Sequence, residues 1–173
     1  MSVRIIGGTA KGRKLPSTRG SSLRPTSQRV RGAIFSILGQ EAIEGAKVLD
    51  LYAGTGAFGM EALSRGAAWV DFVEGGARQC AQIQAGLKMM GFDEKAHVYH
   101  TRVEKALNIL SGNYALILMD PPYATATLSR VIQRLGQGCL LRQSAVVVVE
   151  HSSHSAMEKS YGRLELVKSH RYG

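Results

Sequence analysis

The chain has 173 residues, of which 45% are hydrophobic and 20% are charged, and its formal net charge is +9. This balance excludes an intrinsically disordered chain, and no apolar run approaches the roughly 20 residues that cross a bilayer. We therefore predict one cytoplasmic domain over residues 1–173, with a single hydrophobic core and no membrane contact.

Basic residues are concentrated at the start of the chain. Residues 1 to 31 hold eight basic side chains, and the first acidic residue is Glu41. Clustered cations raise the affinity for phosphate backbones through counterion release, although a solvated basic tail has the same composition. We predict that residues 1–40 form a nucleic-acid-binding extension and that residues 41–173 form the main body. The expected contacts are Lys11, Arg13, Arg24, Thr26, Arg29 and Arg31.

The first elements of the chain are short and basic. In RIIGGTAKGRKL, at 4–15, apolar pieces flank a Gly-rich turn, which predicts a small basic β-hairpin. Thr26 or Ser27 can cap the helix that follows. The apolar residues of that helix share one face: Val30, Ile34, Ile37 and Leu38. We expect this face to pack on the main body, with Arg29 and Arg31 on the opposite side.

From residue 47 onward, short β-rich runs alternate with helical stretches, as a parallel sheet wrapped by helices requires. The predicted strands are Lys47–Leu51, Trp69–Glu74, Ala96–Tyr99, Ala115–Met119, Ala145–Glu150 and Leu164–Ser169. The predicted helices cover residues 57–65, 76–90, 103–110 and 127–135. The run VVVVE at 146–150 is apolar on both faces, which favours a central strand. We predict an α/β fold with a doubly wound, mostly parallel sheet and helices on both faces.

A glycine-rich turn follows the first of these strands in VLDLYAGTGAFG. Gly54, Gly56 and Gly59 lie at the mouth of a helix, where glycines let the backbone approach a nucleotide-like ligand. Asp50 ends the strand, where a carboxylate could face the ammonium of an amino-acid-bearing cofactor and would repel a pyrophosphate. Glu74 ends the second strand, where it could accept both hydroxyls of a ribose. Alternatively, Asp50 caps the turn and Glu74 is a solvated strand end.

These residues resemble motif I of the class I methyltransferases, a DxxxGxG turn with an acidic residue at the second strand end. The resemblance implies S-adenosylmethionine as the cofactor, bound by Asp50, Glu74 and the turn. The expected contacts in the turn are Ala53, Gly54, Thr55 and Gly56. The family usually has an acid for the adenine amino group near the third strand, where Arg102 stands in HTRVEKAL. Adenine recognition would then rest on backbone groups near Val103.

A second loop follows the fourth strand in LILMDPPY, at 116–123. Methylation of an exocyclic amine needs its delocalised lone pair aimed at the donor methyl, so positioning does most of the work. We expect the Asp120 carboxylate, beside the cofactor, and the Pro121 carbonyl to accept hydrogen bonds from the amino group. Pro122 stiffens the loop, and Tyr123 stacks on the base. Alternatively, the segment is a proline-rich turn without chemistry.

The four-residue pattern DPPY resembles the amino-methyltransferase signature [DNS]PP[YFW]. Further matches are GGxxKGRxL, LRPTxxRVRxxxFxxL, DLYAGTGAFGMEALSRGA, VVEH and RYG. Together they resemble the RsmD family of small-subunit ribosomal RNA guanine-N2 methyltransferases. The resemblance implies a Rossmann-like catalytic core at 41–173, RNA contacts in 1–40, and methylation of a guanine N2 in 16S ribosomal RNA within an assembling small subunit. The family usually continues past RYG into a last strand, so two alternatives stay open here: the sheet lacks an edge strand, or the sequence is cut short.

Other interpretations stay open at this point. The GxGxxG pattern with Glu74 also fits an NAD-dependent oxidoreductase, in which DPPY has no role. Arg102 at the adenine-facing position also fits a non-catalytic RNA-binding module with a vestigial fold. DPPY alone also fits methylation of adenine N6 or of a glutamine amide. The histidines have no metal-ligand spacing and methyl transfer needs no metal, so we expect no metal site, and we expect a monomer.

Overall fold

The computed structural model describes residues 3–16, 27–122, 125–152 and 157–172. Its strands are β1 (Lys47–Leu51), β2 (Trp69–Glu74), β3 (Ala96–His100), β4 (Tyr114–Met119), β5 (Leu141–Val149), β6 (Ser160–Tyr161) and β7 (Leu164–Glu165). Its helices are α1 (Gln28–Leu38), α2 (Ala57–Ser64), α3 (Ala77–Met90), α4 (Val103–Ile109) and α5 (Thr125–Gln137), with a 3₁₀ turn at Asp93–Lys95. In these ranges, no helix combines the length and apolar character needed to cross a membrane.

Within the described residues, five parallel strands form one sheet in the order β3-β2-β1-β4-β5. The chain order reverses between β1 and β4, which makes their carboxyl ends the switch point of the sheet. Val48 packs with α2 and α3 on one face, whereas Leu49 and Leu51 pack with α4 and α5 on the other. The predicted doubly wound α/β fold is therefore confirmed.

The N-terminal arm, residues 3–16, packs on the face of the sheet that carries α2 and α3. Its predicted hairpin is represented by one antiparallel bridge, between Arg4 and Lys14, rather than by two regular strands. Three apolar side chains of the arm are buried in the same cluster as Val48: Ile5, Ala10 and Leu15. The arm and the main body therefore share one hydrophobic core.

Helix α1 follows, with Ser27 as its N-cap; the Ser27 hydroxyl accepts from the Val30 amide at 3.2 Å. The predicted packing of this helix is right for Ile34 and Leu38, which lie against the core. It is wrong for two residues, because Ile37 is 49% exposed and Arg31 faces the core with Phe35, one turn away. Arg31 turns inward because a buried carboxylate lies there to pair with it.

Two predictions for the C-terminal part of the chain are wrong. Strand β5 is an edge strand of the sheet, not a central one, and its Val146 is 41% exposed. The predicted strand Leu164–Ser169 is reduced to the two residues of β7, which pair with β6 in a separate antiparallel sheet. The chain reverses at Gly162 and packs this small hairpin on α5 instead of beside β5.

A polar network lies at the amino ends of β1, β2 and β4. The Tyr114 hydroxyl donates to the buried Asp71 carboxylate at 2.5 Å, and the Trp69 indole donates to its other oxygen at 2.8 Å. The Lys47 ammonium lies 3.8 Å from the same carboxylate and 4.6 Å from the centre of the Tyr114 ring. Asp71 is therefore balanced locally by two donors and a cation, at the end of the sheet opposite the predicted site.

Candidate active site

The two predicted loops follow neighbouring strands. In the ladder between β1 and β4, Leu51 is paired with Met119, so the glycine turn and Asp120 begin at the same level of the sheet. They leave the sheet at its switch point, where open α/β sheets bind ligands. The structure thus brings the two loops together at one edge, as the sequence predicts.

The glycine turn is anchored to its neighbours through the backbone. The Ala53 amide donates to the Val73 carbonyl at 3.0 Å, and the Gly56 amide donates to the Ala53 carbonyl at 2.7 Å. Gly54 has φ +54, and the space that a Cβ would fill holds only the Tyr52 carbonyl oxygen, at 3.9 Å. A ligand can therefore approach the turn closely at Gly54.

Asp50 lies beneath this turn and is 1% exposed. One carboxylate oxygen accepts from the Gly59 amide in the first turn of α2, at 2.8 Å. Burial raises the pKa of Asp50 well above its ordinary value, although the Gly59 bond lowers it. The charges of Asp120 and Glu74 raise the pKa of Asp50 further, so three carboxylates act on one another at this edge. Asp50 therefore supports the turn through the Gly59 amide, while its surroundings disfavour its charged form.

Glu74 joins two turns through its half-buried carboxylate. One oxygen accepts from the Gly54 amide at 2.8 Å, and the other accepts from the Gly76 amide at 2.7 Å. Glu74 is therefore not the solvated strand end of the alternative interpretation. Each carboxylate oxygen can accept a second hydrogen bond, which leaves acceptor capacity for ribose hydroxyls.

The region expected to bind adenine lies at the start of α4. The Thr101 amide donates to the Glu74 carbonyl at 3.0 Å, which holds this segment beside the second strand end. Arg102 is the N-cap residue and is exposed, whereas Val103 is 3% exposed. The Val103 side chain is therefore covered, and adenine recognition by backbone groups near it stays a prediction.

Sequence analysis did not single out Tyr52, which precedes the turn in a left-handed conformation with φ +59. Such a backbone is uncommon for a residue with a side chain and is typical of functional sites. Strand alternation would send Tyr52 to the same face as Asp50, yet it packs with Leu51 on the opposite face. Burial, and then the charge of Glu104, raise its pKa to about 12. The sequence feature that could have identified Tyr52 is an aromatic residue directly before a glycine turn.

The second loop lies open to the site. Asp120 and Pro121 are half-buried, and Pro122 is exposed. The loop leaves β4 where the Glu150 amide donates to the Met119 carbonyl at 2.8 Å. Tyr123, the predicted stacking residue, lies outside the described residues. The roles of these four residues stay predictions.

The basic residues divide into two groups. Lys11, Arg13 and Arg29 are exposed, as a surface that contacts phosphates requires. The predicted contact through Arg31 is wrong, because the side chain is 0% exposed. Its guanidinium donates to the Arg4 carbonyl and lies 3.7 Å from the Glu61 carboxylate. Burial lowers the pKa of Arg31, and the neighbouring Glu61 opposes that shift.

Two further predicted contacts, Arg24 and Thr26, lie outside the described residues.

Comparison with known proteins gives one consistent family. The model of a family described as conserved hypothetical protein 95 matches residues 3–173. Ribosomal RNA small subunit methyltransferase D of Escherichia coli K12 is 34% identical over 148 residues, which cover 86% of this chain and 74% of that protein. A conserved hypothetical protein of Streptococcus pyogenes has a solved structure with a TM-score of 0.77 and 34% identity, over 83% of this chain and 89% of that one. A hypothetical protein of Thermus thermophilus has a TM-score of 0.78 and 28% identity, over 91% and 90%.

Proposed function

The chain belongs to the RsmD family of ribosomal RNA methyltransferases, whose family model is described as conserved hypothetical protein 95. From that premise, we propose that the protein methylates the exocyclic N2 of one guanine in 16S ribosomal RNA. The methyl donor is S-adenosylmethionine. The observation that carries the proposal is the meeting of the glycine turn and the Asp-Pro-Pro loop at the switch point between β1 and β4.

The residues at this edge fit the donor in shape and charge. S-adenosylmethionine supplies a methyl group activated on a cationic sulfur. Asp120 and Glu74, whose charges act on the buried Asp50, give the negative potential that a sulfonium and an ammonium require, and Glu74 keeps acceptor capacity for a ribose. The open approach at Gly54 leaves room for the methionine part of the donor beside the backbone. A pyrophosphate would meet the same carboxylates with repulsion, which argues against a dinucleotide cofactor.

The Asp-Pro-Pro loop fits a planar amino group. The Asp120 carboxylate and the Pro121 carbonyl accept its two hydrogen bonds, so that the nitrogen lone pair is directed out of the base plane towards the donor. Asp120 can then take the proton released when the N–C bond forms. The base must leave its stack to reach this loop, and stacking on an aromatic ring recovers about 1 to 3 kcal/mol.

The exposed cations of the arm and of α1 make the RNA surface. They belong to the side of the sheet that carries α2, the helix that continues the glycine turn. The surface formed by the arm and α1 can contact only part of a ribosomal RNA. We therefore propose that an assembling small subunit presents the target to a monomeric enzyme.

The deciding experiment incubates the protein with labelled S-adenosylmethionine and undermethylated small ribosomal subunits, followed by nucleoside analysis. The expected product is N2-methylguanosine. Asp120→Ala should abolish transfer and leave S-adenosylhomocysteine binding, measured by calorimetry, largely intact. Asp93→Ala, an exposed acid on the 3₁₀ turn, serves as the control. If the label appeared in N6-methyladenosine or in a protein glutamine instead, the proposed substrate would be wrong. A protein that binds RNA without binding S-adenosylhomocysteine would be a non-catalytic module.

A further inference from the structure

Helix α2 lies between the cofactor loop and the N-terminal arm. Its first turn continues the glycine loop, where the Gly59 amide donates to Asp50. The remainder of the helix carries Glu61 and Ser64, whose exposures are 0% and 1%. Both of these residues contact the arm, so one eight-residue helix touches both the arm and the glycine loop.

Glu61 binds the backbone of the arm with both of its oxygens. They accept from the amides of Ile6 and Gly7, each at 2.8 Å. The Arg65 guanidinium donates to the same carboxylate at 2.8 Å, and Arg31 lies 3.7 Å away. Two cations therefore balance the buried charge of Glu61 while it holds two neighbouring amides of the arm.

Ser64 binds the next part of the arm. Its hydroxyl accepts from the Ala10 amide at 2.9 Å and donates to the Gly7 carbonyl at 2.5 Å, and its carbonyl accepts from the Thr9 amide at 2.7 Å. Gly8 has φ +75, and a Cβ there would lie 1.8 Å from the Ser64 carbonyl oxygen. The arm thus lies directly on the helix, at a distance that only glycine allows.

The exposed cations of the arm come directly after these contacts in the chain. Lys11, Arg13 and Lys14 come within one to four residues of Ala10, whose side chain is 2% exposed. The place of their charges relative to the glycine turn is therefore set by the contacts of the arm with α2.

We propose that Glu61 and Ser64 are positioning residues that hold the RNA-binding arm in register with the cofactor loop. RNA bound by the arm then presents its target amino group at the donor, and this inference rests on the proposed function. A released arm keeps its cations, so RNA still binds. The methyl transfer rate falls instead, because the target is no longer held at the donor, and a misplacement of about 1 Å can cost about 100-fold in rate.

Two variants weaken the contacts between the arm and α2, one from each side, without changing any charge. Ser64→Ala removes the two hydrogen bonds of the hydroxyl, and Gly8→Ala forces the arm away from the Ser64 carbonyl. With undermethylated small subunits as substrate, we expect kcat to fall at least about tenfold in each variant. The Kd for RNA should rise less than about threefold, because the phosphate contacts persist. The Kd for S-adenosylhomocysteine should stay within about twofold, because the cofactor loop is unchanged.

Gly91→Ala is the matched control. Gly91 ends α3 with φ +73, and a Cβ there would meet no atom within 4 Å, so this variant adds the same left-handed strain without a clash. It should keep kcat within about twofold, and it should lose less thermal stability than Gly8→Ala, which adds the clash to the strain.

Wild-type kcat in folded Ser64→Ala protein would overturn the inference, and so would a loss of cofactor affinity in step with the loss of rate. Ser64→Ala decides the matter if Gly8→Ala does not fold. Should the wild-type protein itself leave small-subunit RNA unmethylated, the proposed function fails first and this inference falls with it.

Discussion

Replacing three exposed cations with glutamine tests the RNA surface directly. Lys11, Lys14 and Arg29 are exposed, whereas Arg31 is buried and Arg13 already donates to a backbone carbonyl of α3. Each phosphate contact contributes about 0.7 to 0.9 to the slope of log affinity against log salt concentration. Three lost contacts therefore flatten the slope by about 2.1 to 2.7. Between about 50 and 200 mM salt, wild-type affinity should fall about 20- to 40-fold more than variant affinity.

Fluorescence anisotropy with a labelled fragment of 16S ribosomal RNA, at several salt concentrations, gives both slopes. The control variant replaces two lysines and one arginine that are also exposed and belong to the C-terminal part of the chain: Lys159, Lys168 and Arg142. Its net charge matches that of the test variant, so a general charge effect moves both slopes together. Equal slopes for the test variant and the wild type would refute the placement of RNA on this surface.

Three further predictions concern buried polar groups. Asp50→Asn keeps an acceptor for Gly59 but removes a carboxyl whose pKa is raised by burial. Wild-type stability is lost as pH rises through that raised pKa, so scanning fluorimetry should show the stability of the variant relative to the wild type increasing with pH. The variant should also bind S-adenosylhomocysteine about tenfold more weakly. Tyr114→Phe leaves Asp71 short of one donor and should cost about 1 to 3 kcal/mol in urea unfolding, with methyl transfer unchanged. Arg31→Ala should cost about 3 to 5 kcal/mol by the same measurement while the salt slope of RNA binding stays at the wild-type value.

The sequence predicted the inner strands of the sheet well, for a physical reason. β1 and β2 are bounded by glycine and polar turns, and their residues are buried on both faces, so the apolar runs and the strands coincide. Asp50 and Glu74 were found because each lies at the carboxyl end of such a strand. Their hydrogen bonds to the amides of α2 and of the glycine turn could not be predicted, since those bonds depend on how the helices pack.

Arg31 and β5 show where a local pattern is insufficient. The burial of Arg31 depends on Glu61, which lies 30 residues further along the chain and on another helix. The valines of β5 are as apolar as those of an inner strand, but whether a strand is central depends on which segment pairs beside it. In this chain the segment that follows forms β6 and β7 on α5. Both errors arise from partners that are distant in sequence.

Two buried aspartates at opposite ends of the sheet distinguish the structural end from the functional one. Asp71 is matched by a hydroxyl, an indole and an ammonium, so its charge is compensated within the fold. Asp50 has one amide partner and lies in the field of two further carboxylates, Glu74 and Asp120, an arrangement that disfavours its charge. A fold gains nothing in stability from such a cluster, whereas a site for a cationic donor gains affinity from it. Because methyl transfer removes the positive charge from the donor sulfur, we expect the proposed site to bind S-adenosylmethionine more tightly than S-adenosylhomocysteine when Asp120 and Glu74 are ionised, and calorimetry with both compounds measures that difference.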